Sequence, residues 1–113
     1  MSEKDPLGKD PHEAGAKLDD GKPMAALVGD FGLALLEVAK LLTFGAKKYS
    51  RGGWTTVPNG RQRYQDAFWR HLLKSGTEEL DPETGLTHEV AVVWNALAAL
   101  ELKMRELRGI SGR

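Results

Sequence analysis

Three segments of this chain repeat their apolar residues every three or four positions, and none alternates them over more than a few. Within residues 24–46, Leu27, Phe31, Leu35, Val38 and Leu42 fall at spacings of four, four, three and four. Tyr64, Phe68 and Leu72 do the same within residues 61–75, and Val90, Val93, Leu97, Leu100 and Met104 within 86–107. A helix turns such residues into one stripe, whereas a half-buried strand needs period two. The pattern predicts an all-α fold, a small helical bundle of three main helices with an irregular N-terminal arm. The 113 residues leave room for one domain. The expected division is a flexible arm over 1–14, a helical domain over 15–107 and a frayed tail over 108–113. Three helices bury little surface by themselves, so a homo-oligomer is expected.

Composition narrows the chemistry. There is no cysteine, which excludes disulfides, thiolate metal sites and thiol nucleophiles, and leaves oxygen and imidazole as metal donors. No apolar run approaches the roughly 20 residues that span a bilayer. The first residues are polar and mixed in charge, unlike a secretory leader. No membrane partner and a cytoplasmic location are the expectations, in a host cell if the chain is phage-encoded. Sixteen basic and sixteen acidic residues cancel, and a long nucleic acid is a poor partner for a chain without basic excess.

The cancellation is uneven along the chain. Residues 1–37 carry four bases and eight acids; residues 47–74 carry seven bases and only Asp66 as an acid. Residues 78–89 carry Glu78, Glu79, Asp81, Glu83 and Glu89 and no base. Basic side chains hold phosphate oxygens and carboxylates hold the cation that bridges them. Charges clustered on solvated faces would give the same pattern.

Individual residues carry similar alternatives. Lys22 closes a Lys17-to-Pro23 turn rich in Lys and Asp. Glu37 sits in an apolar stretch, three residues before Lys40, as an ordinary ion-pair partner would. The loop over 47–60 sets Lys47, Lys48, Tyr49 and Trp54 among glycines. Its aromatics suit stacking on a base, while Trp54 equally suits plugging the core. Asp66 and Arg70 are spaced for a helix ion pair, or for a metal ligand beside a phosphate holder. His71 lies on the Tyr64 side of its helix. Asp81, followed by Pro82, is placed to start a turn. His88 and Asn95, seven apart, share one helix face.

Taken in order, Lys17-x-Asp19-x-Gly21-Lys22-Pro23, Phe44-Gly45-Ala46-Lys47-Lys48-Tyr49, Trp54, Arg63-Tyr64-x-Asp66-Ala67-x-x-Arg70-His71, Asp81-x-Glu83-x-Gly85-Leu86-x-His88 and Asn95-Ala96 resemble the phage family called dATP/dGTP diphosphohydrolase N-terminal domain, over about residues 15–102. The resemblance implies cleavage of purine deoxynucleoside triphosphates to monophosphate and pyrophosphate, with Mg²⁺ or Mn²⁺. It also implies kinship with the all-α, MazG-like pyrophosphohydrolases. In those enzymes Glu-x-x-Glu on one helix and Glu-x-x-Asp on the next hold the metal. Here Glu37-Val38-Ala39-Lys40 ends in Lys, and the helix of Asp66 offers no second carboxylate. Under this reading Asp66, His71 and His88 are the catalytic residues. Asp66, Asp81, Glu37, Glu79 and Glu83 are the metal ligands, and Lys22, Lys47, Lys48, Tyr49, Trp54, Arg70 and Asn95 hold the nucleotide. The alternatives are a nucleotide-binding or nucleotide-sequestering phage protein without hydrolysis, and a helical adaptor.

Overall fold

In the computed structural model, which describes residues 3–110, the chain is all-α. Its α-helices are α1 (Gly32–Lys48), α2 (Gly60–Lys74) and α3 (His88–Leu107). Short 3-10 helices occupy Ala25–Phe31 and Gly53–Thr56. Among the described residues there is no strand, only one isolated antiparallel bridge between Leu80 and Thr87. No described helix is long and apolar enough to cross a membrane. Residues 111–113 of the expected tail, and residues 1 and 2 of the expected arm, lie outside the described residues.

The first helix differs from its sequence-based expectation. The apolar spacing predicts a helix from residue 24, but α-helix begins only at Gly32, behind the 3-10 segment. Gly29 and Gly32 each cost about 1 kcal/mol relative to Ala in a helix. No residue of Ala25–Phe31 is buried, so no packing offsets that cost. The third helix also starts late, at His88, because Leu86 and Thr87 are engaged elsewhere. The Asp81 N–H donates to the Leu86 carbonyl at 2.8 Å and the His88 N–H donates to the Glu79 carbonyl at 3.3 Å.

The chain divides into two compact units, residues 1–30 and 31–113. In the second unit α2 and α3 pack antiparallel. Arg61 pairs with Glu106 at one end, Tyr64 meets Trp94 midway, and His71 meets His88 at the other. Gly60 permits the approach at the Arg61 end, since a Cβ there would lie 3.2 Å from the Leu102 side chain. Asn59 accepts the left-handed turn (φ 55°) that starts α2, a conformation Asn tolerates better than most residues. α1 packs on α3. Among the described residues the buried apolar side chains are Val38 on α1 and Val90, Ala91 and Ala98 on α3. Trp54, Tyr64 and Trp94 form an aromatic cluster in which Trp54 meets the other two edge-on and Tyr64 and Trp94 are tilted, and the Tyr64 hydroxyl donates to the Trp54 carbonyl at 2.7 Å.

The first unit is organised by one carboxylate. Asp5 is buried and accepts N–H bonds from Leu7 at 2.7 Å, Lys17 at 2.7 Å and Lys9 at 3.4 Å. The Lys17 N–H is the chief reason that the Asp5 carboxyl is held below its ordinary pKa, with the other two adding to it against burial. Residues 3–20 therefore close on themselves without regular structure. Replacing Asp5 by Ala removes these acceptors. Amide exchange at Leu7 and Lys17 should accelerate about tenfold or more in that variant, as read by hydrogen-exchange mass spectrometry; unchanged protection would contradict the hub.

Candidate functional site

The segment between α2 and α3 folds back on itself, and that return assembles a cluster. The Leu80–Thr87 bridge brings residues 78–81 alongside the start of α3, and the last turns of α2 bring His71. His71, Asp81 and His88 each offer a ligand atom, and these atoms lie within 4.8 Å of one another. The His71 and His88 Nδ1 atoms are 2.9 Å apart. The His71 Nδ1 is 3.9 Å from the Asp81 Oδ2. His88 is the largest fully buried side chain among the described residues.

Two of the three members are oriented by a group behind them. The His88 Nε2 lies 2.7 Å from the Glu78 Oε1. A carboxylate accepts there, so Nε2 carries the proton and the Nδ1 lone pair faces His71. Asp81 divides its oxygens: Oδ1 accepts the Glu83 N–H at 2.9 Å, while Oδ2 faces the imidazoles. Two Nδ1 atoms at this distance need either a proton on His71 or a cation between them. A carboxylate behind a histidine, with the ring's other nitrogen turned inward, is the arrangement found around metal-binding imidazoles. Two imidazoles and a carboxylate fit a divalent transition metal. They suit Mg²⁺ less well, since it prefers an all-oxygen shell.

Charge surrounds this cluster. Burial is the main cause that lowers the His71 pKa; Asp81 opposes it, and His88, Lys74 and Arg70 reinforce it. The Lys48 ammonium, at the end of α1, pairs with the Glu83 carboxylate at 2.7 Å. That bond is the largest contribution to its raised pKa, and it ties α1 to the turn carrying Asp81. Lys48 also lies over the Tyr49 ring at 5.1 Å, with Tyr49 itself exposed. Lys47 and Arg70 are exposed as well.

The other sequence candidates lie elsewhere. Asp66 accepts from the Gln62 amide at 3.1 Å and lines a groove of about 710 Å³ between α2 and α3, together with Trp69 and Asn95. The Asn95 amide is buried and donates to the Ala91 carbonyl at 2.8 Å. Trp54 belongs to the aromatic cluster, with the Arg105 guanidinium 5.7 Å from its ring. Glu37 pairs with Lys40. Glu79 joins the site through its backbone carbonyl, which receives the His88 N–H. In the first unit Lys22 pairs with Glu3 at 2.9 Å. The residue that sequence reasoning passed over is Glu78. It stands in the acid-only run, but only the return of the loop reveals that it faces His88.

A family model described as dATP/dGTP diphosphohydrolase, N-terminal, matches residues 12–109. No curated protein and no solved structure matches the chain.

Because the folded state lowers the His71 pKa, it favours the neutral ring. That contribution to stability is complete above the unfolded value of about 6.5 and is lost as pH falls toward the lower folded value. In chelator-treated protein the melting temperature should drop between pH 7.5 and 5. The His71→Gln variant should show a shallower drop, and an identical pH profile would contradict the assignment.

Proposed function

The chain belongs to the dATP/dGTP diphosphohydrolase N-terminal family, and on that premise we propose that it hydrolyses purine deoxynucleoside triphosphates to the monophosphate and pyrophosphate, using a divalent metal held by His71, Asp81 and His88. The observation that carries this reading is the convergence of those three ligand atoms within 4.8 Å, with Glu78 behind His88. Of the two ions that the family resemblance implies, Mn²⁺ accepts imidazole donors more readily than Mg²⁺ does.

In this reading each residue has a defined task. Glu78 fixes the His88 tautomer and keeps its Nδ1 free of a proton. The Glu83 N–H holds one Asp81 oxygen so that the other faces inward. Arg70, one residue before His71, and Lys48, beside the Asp81 turn, attract and orient the phosphates. Lys47 adds to that positive field, and Tyr49 stands on the exposed side where a base can stack. In the reaction a water oxygen bonds to the α-phosphorus and gives up its proton to solvent, the bond from that phosphorus to the bridging oxygen breaks, and pyrophosphate leaves. A divalent metal held by His71, Asp81 and His88 would supply Lewis acidity and neutralise phosphate charge.

The experiment is an assay of a deoxynucleoside triphosphate panel with Mn²⁺ or Mg²⁺, following monophosphate and pyrophosphate. Activity should be highest on dATP or dGTP with Mn²⁺. Glu78→Gln should lower kcat/KM by about 10- to 100-fold, and His88→Ala and Asp81→Asn should lower it further. A loss at Asp66→Ala as large as that at Asp81 would move the centre to the groove between α2 and α3. Nucleotide retained without product would favour the sequestering reading instead, which the Lys40 departure from the acidic quartet also supports.

A further inference from the structure

The groove beside Asp66 takes no part in the chemistry of the metal cluster. It lies between α2 and α3 and has a volume of about 710 Å³, within the usual range for a small-molecule site. It stands apart from the cluster. On α2, Asp66 is turned about 140° from His71, and on α3, Asn95 lies about 10 Å along the axis beyond His88.

Two hydrogen-bond acceptors face this groove with few donors to meet them. Asn95 is 5% exposed, and its Nδ2 donates to the Ala91 carbonyl at 2.8 Å. Its Oδ1 receives no hydrogen bond among the described residues. Among those residues the one enclosed side-chain nitrogen or oxygen without a partner is the Arg105 Nη1. The Asn95 Oδ1 is therefore not sealed in protein, and it opens to the groove that Asn95 lines. The protein holds this amide by one atom and presents the other to whatever fills the groove. Tyr64 meets Trp94 across the seam, which sets Asp66 at about the level of Asn95. The exposed Asp66 carboxylate accepts from the Gln62 amide through Oδ1 at 3.1 Å. Its Oδ2 receives no hydrogen bond among the described residues.

An aromatic ring borders these acceptors. Trp69 lines the same groove and is 58% exposed. Phe68 meets it at 5.8 Å with the rings 85° apart, so the two are not stacked and a face of Trp69 stays open. Ala96 and Ala99 line the α3 side, and their small side chains leave depth for a flat ring. A stacking ring beside outward-facing acceptors suits a flat heteroaromatic that carries adjacent N–H donors.

We infer that this groove binds a guanine base. Guanine presents its N1–H and 2-amino group side by side, and a carboxylate accepts both at once. Asp66 takes that pair, and the Asn95 Oδ1 takes the second hydrogen of the amino group. Gln65, which lines the groove beside Asp66, offers an amide donor to O6. Adenine turns an unprotonated ring nitrogen toward the carboxylate at the same position, and hypoxanthine lacks the amino group. The inference does not rest on hydrolysis at the metal cluster, since it involves neither phosphate nor metal.

Isothermal titration calorimetry of the full chain in chelator, with deoxyguanosine, deoxyinosine and deoxyadenosine, tests it. Nucleosides carry no phosphate, so the basic residues near the cluster do not contribute. Deoxyguanosine should bind saturably and about tenfold or more tighter than deoxyinosine, with deoxyadenosine the weakest. Asp66→Ala should abolish that preference, whereas Trp69→Ala should weaken all three alike, by about tenfold. Both positions are exposed, and circular dichroism checks that the helices are retained. No saturable binding of deoxyguanosine, whether because the groove holds only water or because a second copy covers it, would overturn the inference. So would equal affinity for the three nucleosides, or an unchanged preference in folded Asp66→Ala. Should the variants lose their helices, the order of the three nucleosides on the wild-type chain decides the question alone.

Discussion

Everything at the candidate site depends on two imidazoles meeting across the α2–α3 seam. The His71 and His88 Nδ1 atoms stand 2.9 Å apart, with His88 buried and its far nitrogen bonded to Glu78. Two lone pairs cannot face each other without a proton or a cation between them. Asp81 completes the approach through the one oxygen that its own turn leaves free. Antiparallel packing of α2 and α3 is what brings residues seventeen apart in sequence to this contact. The loop bridge at Leu80 and Thr87 then adds the two carboxylates.

The helical architecture was legible because stripes at spacings of three and four admit few other folds. The start of the first helix was not, because periodicity ignores the cost of Gly29 and Gly32 where nothing is buried. His71, Asp81 and His88 were each visible as candidates, since imidazole and carboxylate are the donors a cysteine-free chain has. Their grouping was not visible. Asp66 looked equal to them, yet it lies five residues before His71, which places it about 140° away around the helix. It accordingly faces the groove with Trp69 and Asn95. Glu78 was hidden for a different reason: its partner depends on how a loop returns, and no period encodes that register.

The charge pattern acquires a spatial meaning. The basic stretch and the acid-only stretch are adjacent in sequence, and Lys48 and Glu83 join them in space. Arg70 and Lys74 lie near enough to His71 to bear on its proton affinity. Positive groups thus border a small donor set of imidazole and carboxylate, a distribution suited to a compact phosphate ligand with its cation.

The central claim concerns where a metal sits, and anomalous diffraction from crystals grown with Mn²⁺ tests it most directly. The account predicts an anomalous peak within bonding distance of the His71 and His88 imidazoles and the Asp81 carboxylate, with Glu78 still bonded to His88. A peak beside Asp66, or no ion at the histidine pair in well-ordered crystals, would contradict it.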